Sequence, residues 1–141
     1  MRQEPLYELP MSSCDTYRDV FFYSYCILYD YDREDGKKIR TGIRFKLITA
    51  YRSTNAECTV SWQYENLDTL VEIYDSPWLE EFRAILAQAN RDWVVRHFKL
   101  FTHGNCFEFL ATSWELLPEY EGIWDDVLPD RKLFAGREVP L

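Results

Sequence analysis

One strongly amphipathic helix, set among segments that alternate like β-strands, most constrains how this chain can fold. The helix is predicted over DSPWLEEFRAILAQAN, from Asp75 to Asn90. Ser76 suits the N-cap, and Pro77 suits the first turn, where a missing N–H costs nothing. Apolar residues then recur at helical spacing and form one stripe. The stripe comprises Trp78, Leu79, Phe82, Ile85, Leu86 and Ala89.

The remaining segments are rich in alternating aromatic and β-branched residues, which is typical of antiparallel strands. An Asp-Gly step within 33–38 predicts the turn of a long hairpin, and Gly42 is a candidate bulge in it. The predicted strands are 20–32, 39–52, 58–64, 69–74, 93–102 and 106–112. The sequence therefore predicts an α+β fold, a mainly antiparallel and strongly twisted sheet of about six strands packed on one amphipathic helix.

The length of the chain favours one domain. With 141 residues, it lies close to the commonest domain size and is long enough to bury a core. We expect a single domain over 1–141, with an irregular N-terminal arm over 1–19 and a C-terminal tail over 131–141.

Charge and cysteine content limit the classes of partner. The formal net charge of −8 favours a basic protein partner, makes nucleic acid unlikely and disfavours anionic membranes. No apolar run is long enough to span a bilayer or form a signal peptide. The cysteines make no metal-binding pattern, so we expect free thiols, a cytoplasmic location, no metal and no cofactor. They are Cys14, Cys26, Cys58 and Cys106.

Charge is distributed unevenly along the chain. Basic residues dominate 33–52, whereas 100–130 carries acidic residues and no Lys or Arg. The two segments could neutralise each other across a sheet. This is the simpler interpretation, because runs of charged residues are usually solvated surface. Alternatively, the acidic segment presents aromatic anchors among carboxylates to a basic partner. The predicted partner-binding residues are Trp114, Glu119, Tyr120, Glu121, Trp124, Asp125 and Asp126.

A second possible site combines tyrosines of the first strand with basic residues of the second. If they shared one sheet face, they could line a cavity and bind a ligand. The other interpretation is that the aromatic strand is part of the core. The possible ligand-binding residues are Tyr25, Arg40, Arg44, Lys46 and Arg52.

A catalytic site is weakly indicated. His103, Cys106 and Glu108 could bring a thiol close to a base, but no glycine-rich oxyanion loop accompanies them. His97 alternates with apolar residues on one strand and is more simply a packed or a surface histidine. No pair of carboxylates has a spacing that marks an acid/base pair.

Two stretches carry a resemblance. YDSPWLEEFR, followed by HFKLFTHGNCFEFLATSWELLPE, resembles a pattern in small bacterial proteins of similar length, over roughly residues 68–119. The resemblance implies a bacterial or phage origin, and it brings no activity and no catalytic residues with it.

Two functional hypotheses follow from these features. The first is a non-enzymatic acidic binding protein that occludes a surface of a partner protein, as an immunity protein or a phage-encoded inhibitor does. The alternative is an α+β ligand-binding or small enzymatic domain with a cavity lined by Tyr and Arg.

Overall fold

A computed structural model describes residues 1–10, 21–23, 25–102 and 104–121. These residues form ten β-strands, one α-helix and two short 3-10 helices. The strands are β1 (Arg2–Glu8), β2 (Phe21–Tyr23), β3 (Cys26–Asp32), β4 (Lys38–Lys46), β5 (Ala50–Asn55), β6 (Thr69–Tyr74), β7 (Arg96–Phe101), β8 (Asn105–Ala111), β9 (Ser113–Leu116) and β10 (Tyr120–Glu121). The helix is α1 (Pro77–Gln88), and the 3-10 helices are Ala56–Cys58 and Ser61–Tyr64.

The α+β prediction is confirmed, but the strands form two sheets rather than one. Sheet A has the order β1-β6-β7-β8-β5, and sheet B has the order β10-β4-β3-β2 with β9 also paired to β4. Contacts divide the chain into two compact units, Met1–Leu9 with Phe45–Ser113 and Pro10–Arg44 with Trp114–Leu141. Sheet A and α1 belong to the first unit. The single domain over 1–141 stays a prediction.

Helix α1 begins as its sequence predicts. The Ser76 hydroxyl accepts a hydrogen bond from the Leu79 N–H at 3.1 Å, and Pro77 occupies the first turn. Leu79 and Leu86 are buried and pack with Val95 and Leu110 of the first unit. The buried stripe is narrower than the sequence suggests. Trp78 and Phe82 are partly buried, whereas Ile85 and Ala89 are exposed.

β3 and β4 form the predicted hairpin, and its turn contains Gly36 at φ 83°. The prediction of one strand over 39–52 is wrong, because the chain turns at Leu47, which has φ 49°, and continues as β5 in the other sheet. Gly42 is not a bulge, because its strand pairs with β3 in unbroken register. A Cβ at this position would lie 2.4 Å from the Ile27 carbonyl oxygen, so close packing requires the glycine.

The predicted first strand is interrupted. Tyr25 has φ 67°, and the chain reverses there so that β2 pairs antiparallel with β3. The tyrosines of this segment do not share one environment. Tyr25, at the break, is 52% exposed, whereas Tyr29 in β3 is fully buried.

Two local predictions were wrong in the first unit. Residues 58–64 contain 3-10 turns instead of a strand, because the Gln63 side chain accepts the Val60 N–H at 2.9 Å and closes a turn. Residues 2–8, expected in an irregular arm, form β1 on the edge of β6. The remainder of the arm over 11–20 and the tail over 131–141 lie outside the described residues.

Candidate functional site

A row of polar side chains lies on the face of sheet A that α1 covers. His97 of β7 stands between the N-cap of α1 and the neighbouring strand β8. Its Nδ1 is 2.8 Å from the Ser76 Oγ, and its Nε2 is 2.8 Å from the Glu108 Oε1. A carboxylate only accepts, so Nε2 donates to Glu108. In the neutral imidazole, Nδ1 then accepts the Ser76 hydroxyl proton while Ser76 accepts the Leu79 N–H.

Glu108 is the centre of this row. Besides His97, it accepts two hydrogen bonds from Arg52 of β5, at 2.9 and 2.8 Å, and one from Gln63 Nε2 at 3.0 Å. Burial alone would raise the pKa of Glu108, but the hydrogen bonds from His97 and Arg52 outweigh it and hold the pKa below its ordinary value. Glu108 is therefore a buried carboxylate that stays ionised.

Two tryptophans enclose the histidine. The Trp78 ring meets the His97 ring edge-on at 5.2 Å, and the Trp62 ring does so at 6.3 Å. The Arg52 guanidinium lies 4.1 Å above the Trp78 ring and remains partly exposed. Arg52 is thus the member of the row at the protein surface.

The sequence of groups in this row is that of an acyl-transfer triad, in which a histidine base lies between a serine and an acid. Such a site needs its serine within reach of a substrate. Here Ser76 is 1% exposed, and His97 and Glu108 are 0% exposed. The Ser76 oxygen also caps α1, so moving it would release the helix end. The geometry therefore describes a structural link between helix and sheet. We call the hydrogen-bonded row Ser76–His97–Glu108 the latch, because it holds the start of α1 on sheet A.

Lys99 extends the polar row toward β1. Its ammonium lies within hydrogen-bond distance of four carbonyl oxygens: Gln3 Oε1 at 2.8 Å, and the main-chain oxygens of Trp62 at 3.2 Å, Gln63 at 3.2 Å and Glu65 at 2.7 Å. Burial lowers the pKa of this side chain. Lys99 holds the 3-10 segment against the sheet, which explains why 58–64 does not continue as a strand.

The possible ligand-binding residues are not gathered in one sheet. Tyr25, Arg40 and Arg44 belong to the second unit, whereas Lys46 and Arg52 belong to the first. Arg40 is fully buried, with its Nε 3.7 Å from the Asp30 carboxylate. Arg52 is bound to Glu108 rather than directed toward an open cavity. The cavity hypothesis stays a prediction.

The last described part of the acidic segment, 113–121, lies along β4 of the basic hairpin. β9 and β10 both pair with β4, and three of its acids contact the second unit's own side chains. Glu115 forms an ion pair with Arg44, and Glu121 lies 3.2 Å from the Lys37 ammonium.

Glu119 accepts a hydrogen bond from the Tyr31 hydroxyl at 2.5 Å. The acidic and basic segments therefore neutralise each other here, as the first interpretation of the charge pattern predicts. Trp114 and Tyr120 are half-buried, and Trp124, Asp125 and Asp126 lie outside the described residues.

The described cysteines do not form a reactive site. Cys26 and Cys106 are buried, and burial raises the pKa of each to about 12. Such thiols stay protonated and are poor nucleophiles near neutral pH. His103, which could have served as a base for Cys106, lies outside the described residues. Cys58 is exposed and free.

Within the described ranges, no group of three or more His, Cys, Asp or Glu side chains could hold a metal ion. No helix in the part of the chain that the structure describes is long and apolar enough to cross a membrane. Comparison with known proteins finds no matching family model, no matching curated protein and no matching solved structure.

The sequence leaves open whether His97 is a packed or a surface histidine, and it does not indicate the partners of His97. One signal was present, because Glu108 sits in a strand whose flanking residues are aromatic. Its same-face neighbours in β8 are Cys106 and Leu110, so the carboxylate had to be buried and paired. The partners themselves come from distant elements and require the fold.

Proposed function

We propose that this chain is a non-enzymatic acidic binding protein that covers a surface of a basic partner protein, in the manner of an immunity protein or a phage-encoded inhibitor. The observation that carries the proposal is a net charge of −8 on a chain whose candidate catalytic groups, Ser76, His97 and Glu108, are buried and linked by hydrogen bonds through His97. Excess negative charge accelerates association with a basic surface and repels nucleic acid.

Burial supports a binding role over a catalytic one. Ser76, His97 and Glu108 have the chemistry of a catalytic site but are enclosed beneath α1 and two tryptophans. A catalytic group must touch its substrate, and these groups touch the helix end and the sheet. The net charge, in contrast, acts at the surface without any opening of the fold.

The internal ion pairs narrow where a partner would bind. Glu115 and Glu121 already have basic neighbours in the hairpin, which reduces the potential that they project. Trp124, Asp125 and Asp126 complete the predicted partner-binding set and lie outside the described residues. Reversing Glu121 would break its ion pair with Lys37, so the experiment leaves Glu121 unchanged and reverses the charges of the two aspartates.

The experiment measures association with a captured partner. The full chain is immobilised, proteins are captured from a bacterial lysate at low salt, and each is eluted with added salt. For a captured basic protein, D125K/D126K should slow association about tenfold at low salt, because steering contributes at least that much.

A matched control carries the same change in charge on the first unit. E81K/D92K alters two exposed acids on and after α1 and should slow association far less. Equal slowing by both variants would show that net charge acts without a defined surface. Capture of no salt-sensitive basic protein would reject the proposal.

A further inference from the structure

The two outer strands of sheet A differ in how they resist pairing with another strand. β1 carries Pro5, which has no N–H to donate, and its register with β6 is broken between Pro5 and Tyr7. It also carries Glu4 and Glu8. Proline, a bulge and charge are the devices by which natural sheets protect an edge.

β5, at the other end of sheet A, has fewer of these devices. It contains no proline and pairs with β8 in unbroken register from Ala50 to Asn55. Its one charged residue, Arg52, is bound to Glu108. Ser53 and Asn55 are exposed. β5 is also the last strand of the sheet among the described residues.

The register shows which main-chain groups point outward. The Ala56 N–H donates to the Gly104 carbonyl at 3.2 Å, just beyond the end of β5. Hydrogen-bonded and non-hydrogen-bonded pairs alternate along an antiparallel ladder. Thr54 and Arg52 therefore direct their N–H and C=O groups toward β8, whereas Ser53 and Asn55 direct theirs toward the edge that no described strand pairs with.

We propose that β5 pairs antiparallel with β5 of a second copy of this chain, about a two-fold axis at Ser53. An isologous contact of this kind needs a self-complementary edge. In this register Arg52 lies opposite Thr54 of the second copy, and no like charges lie directly opposite each other. Two copies of sheet A then form one continuous sheet.

The dimer goes beyond the proposed function and depends on salt in the opposite direction. Each copy carries a net charge of −8, so two copies repel each other until salt screens the charge. Added salt should strengthen the dimer, whereas it should weaken a complex with a basic partner. Either proposal can therefore fail without the other.

Sedimentation equilibrium of the full chain tests the dimer. The wild-type mass should rise with concentration from that of one chain, 17.0 kDa, toward twice that value, and more readily in higher salt. S53P removes the outward N–H at the axis and leaves the bonds of Arg52 and Thr54 to β8 in place. S53K puts two like charges at the axis, and S53A keeps the main chain intact.

We expect S53P and S53K to stay at the mass of one chain under all conditions, and S53A to behave as wild type. Far-UV circular dichroism checks that each variant is folded, and S53K decides the result if S53P is not. A wild type that is always monomeric would overturn the proposal. So would a dimer that survives in S53K, whatever other surface it uses.

Discussion

Both units pair acidic with basic side chains, and one pair from each shows how much the surroundings of a pair matter. In the first unit, Glu108 is fully buried and is shared by His97, Arg52 and Gln63. In the second, Glu121 is 58% exposed at its side chain and meets Lys37 at the surface. The same pairing of charges therefore has different consequences in the two places.

Desolvation explains the difference. A buried carboxylate has lost its water, so removing one of its partners, or the carboxylate itself, leaves polar groups unsatisfied in the interior. An exposed pair returns to water when it is broken and loses little. The buried carboxylate Glu108 should therefore be needed for stability, whereas the protein should tolerate the loss of the exposed pair between Glu121 and Lys37.

Glu108→Ala should give the largest effect. It leaves the His97 Nε2, Arg52 and Gln63 without their acceptor, and we expect a loss of about 3–5 kcal/mol in the free energy of unfolding. Urea denaturation with a circular dichroism readout measures it. A loss below about 1 kcal/mol would show that Glu108 does not hold the polar row together.

The same site should be sensitive to acid. Because the pKa of Glu108 is held below its ordinary value of 4.5, its contribution is fully present above that pH and is lost as the pH falls through the folded-state pKa. The difference in stability between wild type and Glu108→Gln should therefore shrink as the pH is lowered below 4.5.

Leu86→Ala should have the next largest effect. We expect a loss of about 3 kcal/mol in the free energy of unfolding, because the substitution leaves a cavity beneath α1. Its neighbour in the same helix, Ile85, is 51% exposed, and Ile85→Ala should cost less than about 0.5 kcal/mol. Denaturation of both variants measures the difference. Equal losses would mean that the buried stripe of α1 is wider than Leu79 and Leu86.

Ser76→Ala should cost about 2 kcal/mol, since it removes the cap of α1 and the hydroxyl that faces His97 Nδ1. Thermal unfolding followed by circular dichroism measures the loss, with Ser76→Thr as the variant that keeps the hydroxyl. If both variants lose the same stability, the hydroxyl contributes nothing to the latch.

Glu121→Ala should have the smallest effect, below about 0.5 kcal/mol, because both members of its pair with Lys37 are exposed. Urea denaturation under the conditions used for Glu108→Ala measures the loss in the free energy of unfolding. A loss comparable to that of Glu108→Ala would contradict the contrast between the two units.

The sequence predicts the elements whose causes are local. The start of helix α1 is correct because its cap and its proline lie within one short segment. The β3–β4 hairpin is correct because its turn chemistry lies between its strands. The prediction for 58–64 fails because of a local bond, from the Val60 N–H to the Gln63 side chain, and because of Lys99, which lies far away in sequence. The prediction for the arm fails over residues 2–8, because their partner β6 lies far away in sequence.

The candidate site could be predicted only in part. Glu108 between two phenylalanines indicates a buried charge, but Arg52 reaches it from 56 residues away. Ser76 joins the site only through His97, which lies 21 residues from it. The neutralisation of the acidic segment by the hairpin follows from composition, as one of two interpretations. Which interpretation holds depends on β9 and β10 pairing with β4.

The central claim is that the Ser76–His97–Glu108 row is a latch that holds α1 on sheet A, and that it does not catalyse a reaction. Treatment of the native full chain with a fluorophosphonate, which bonds covalently to activated serines, tests it directly. We expect mass spectrometry to find no adduct on Ser76, because its hydroxyl is buried and caps the helix. An adduct on Ser76 that is abolished by His97→Gln would contradict the claim.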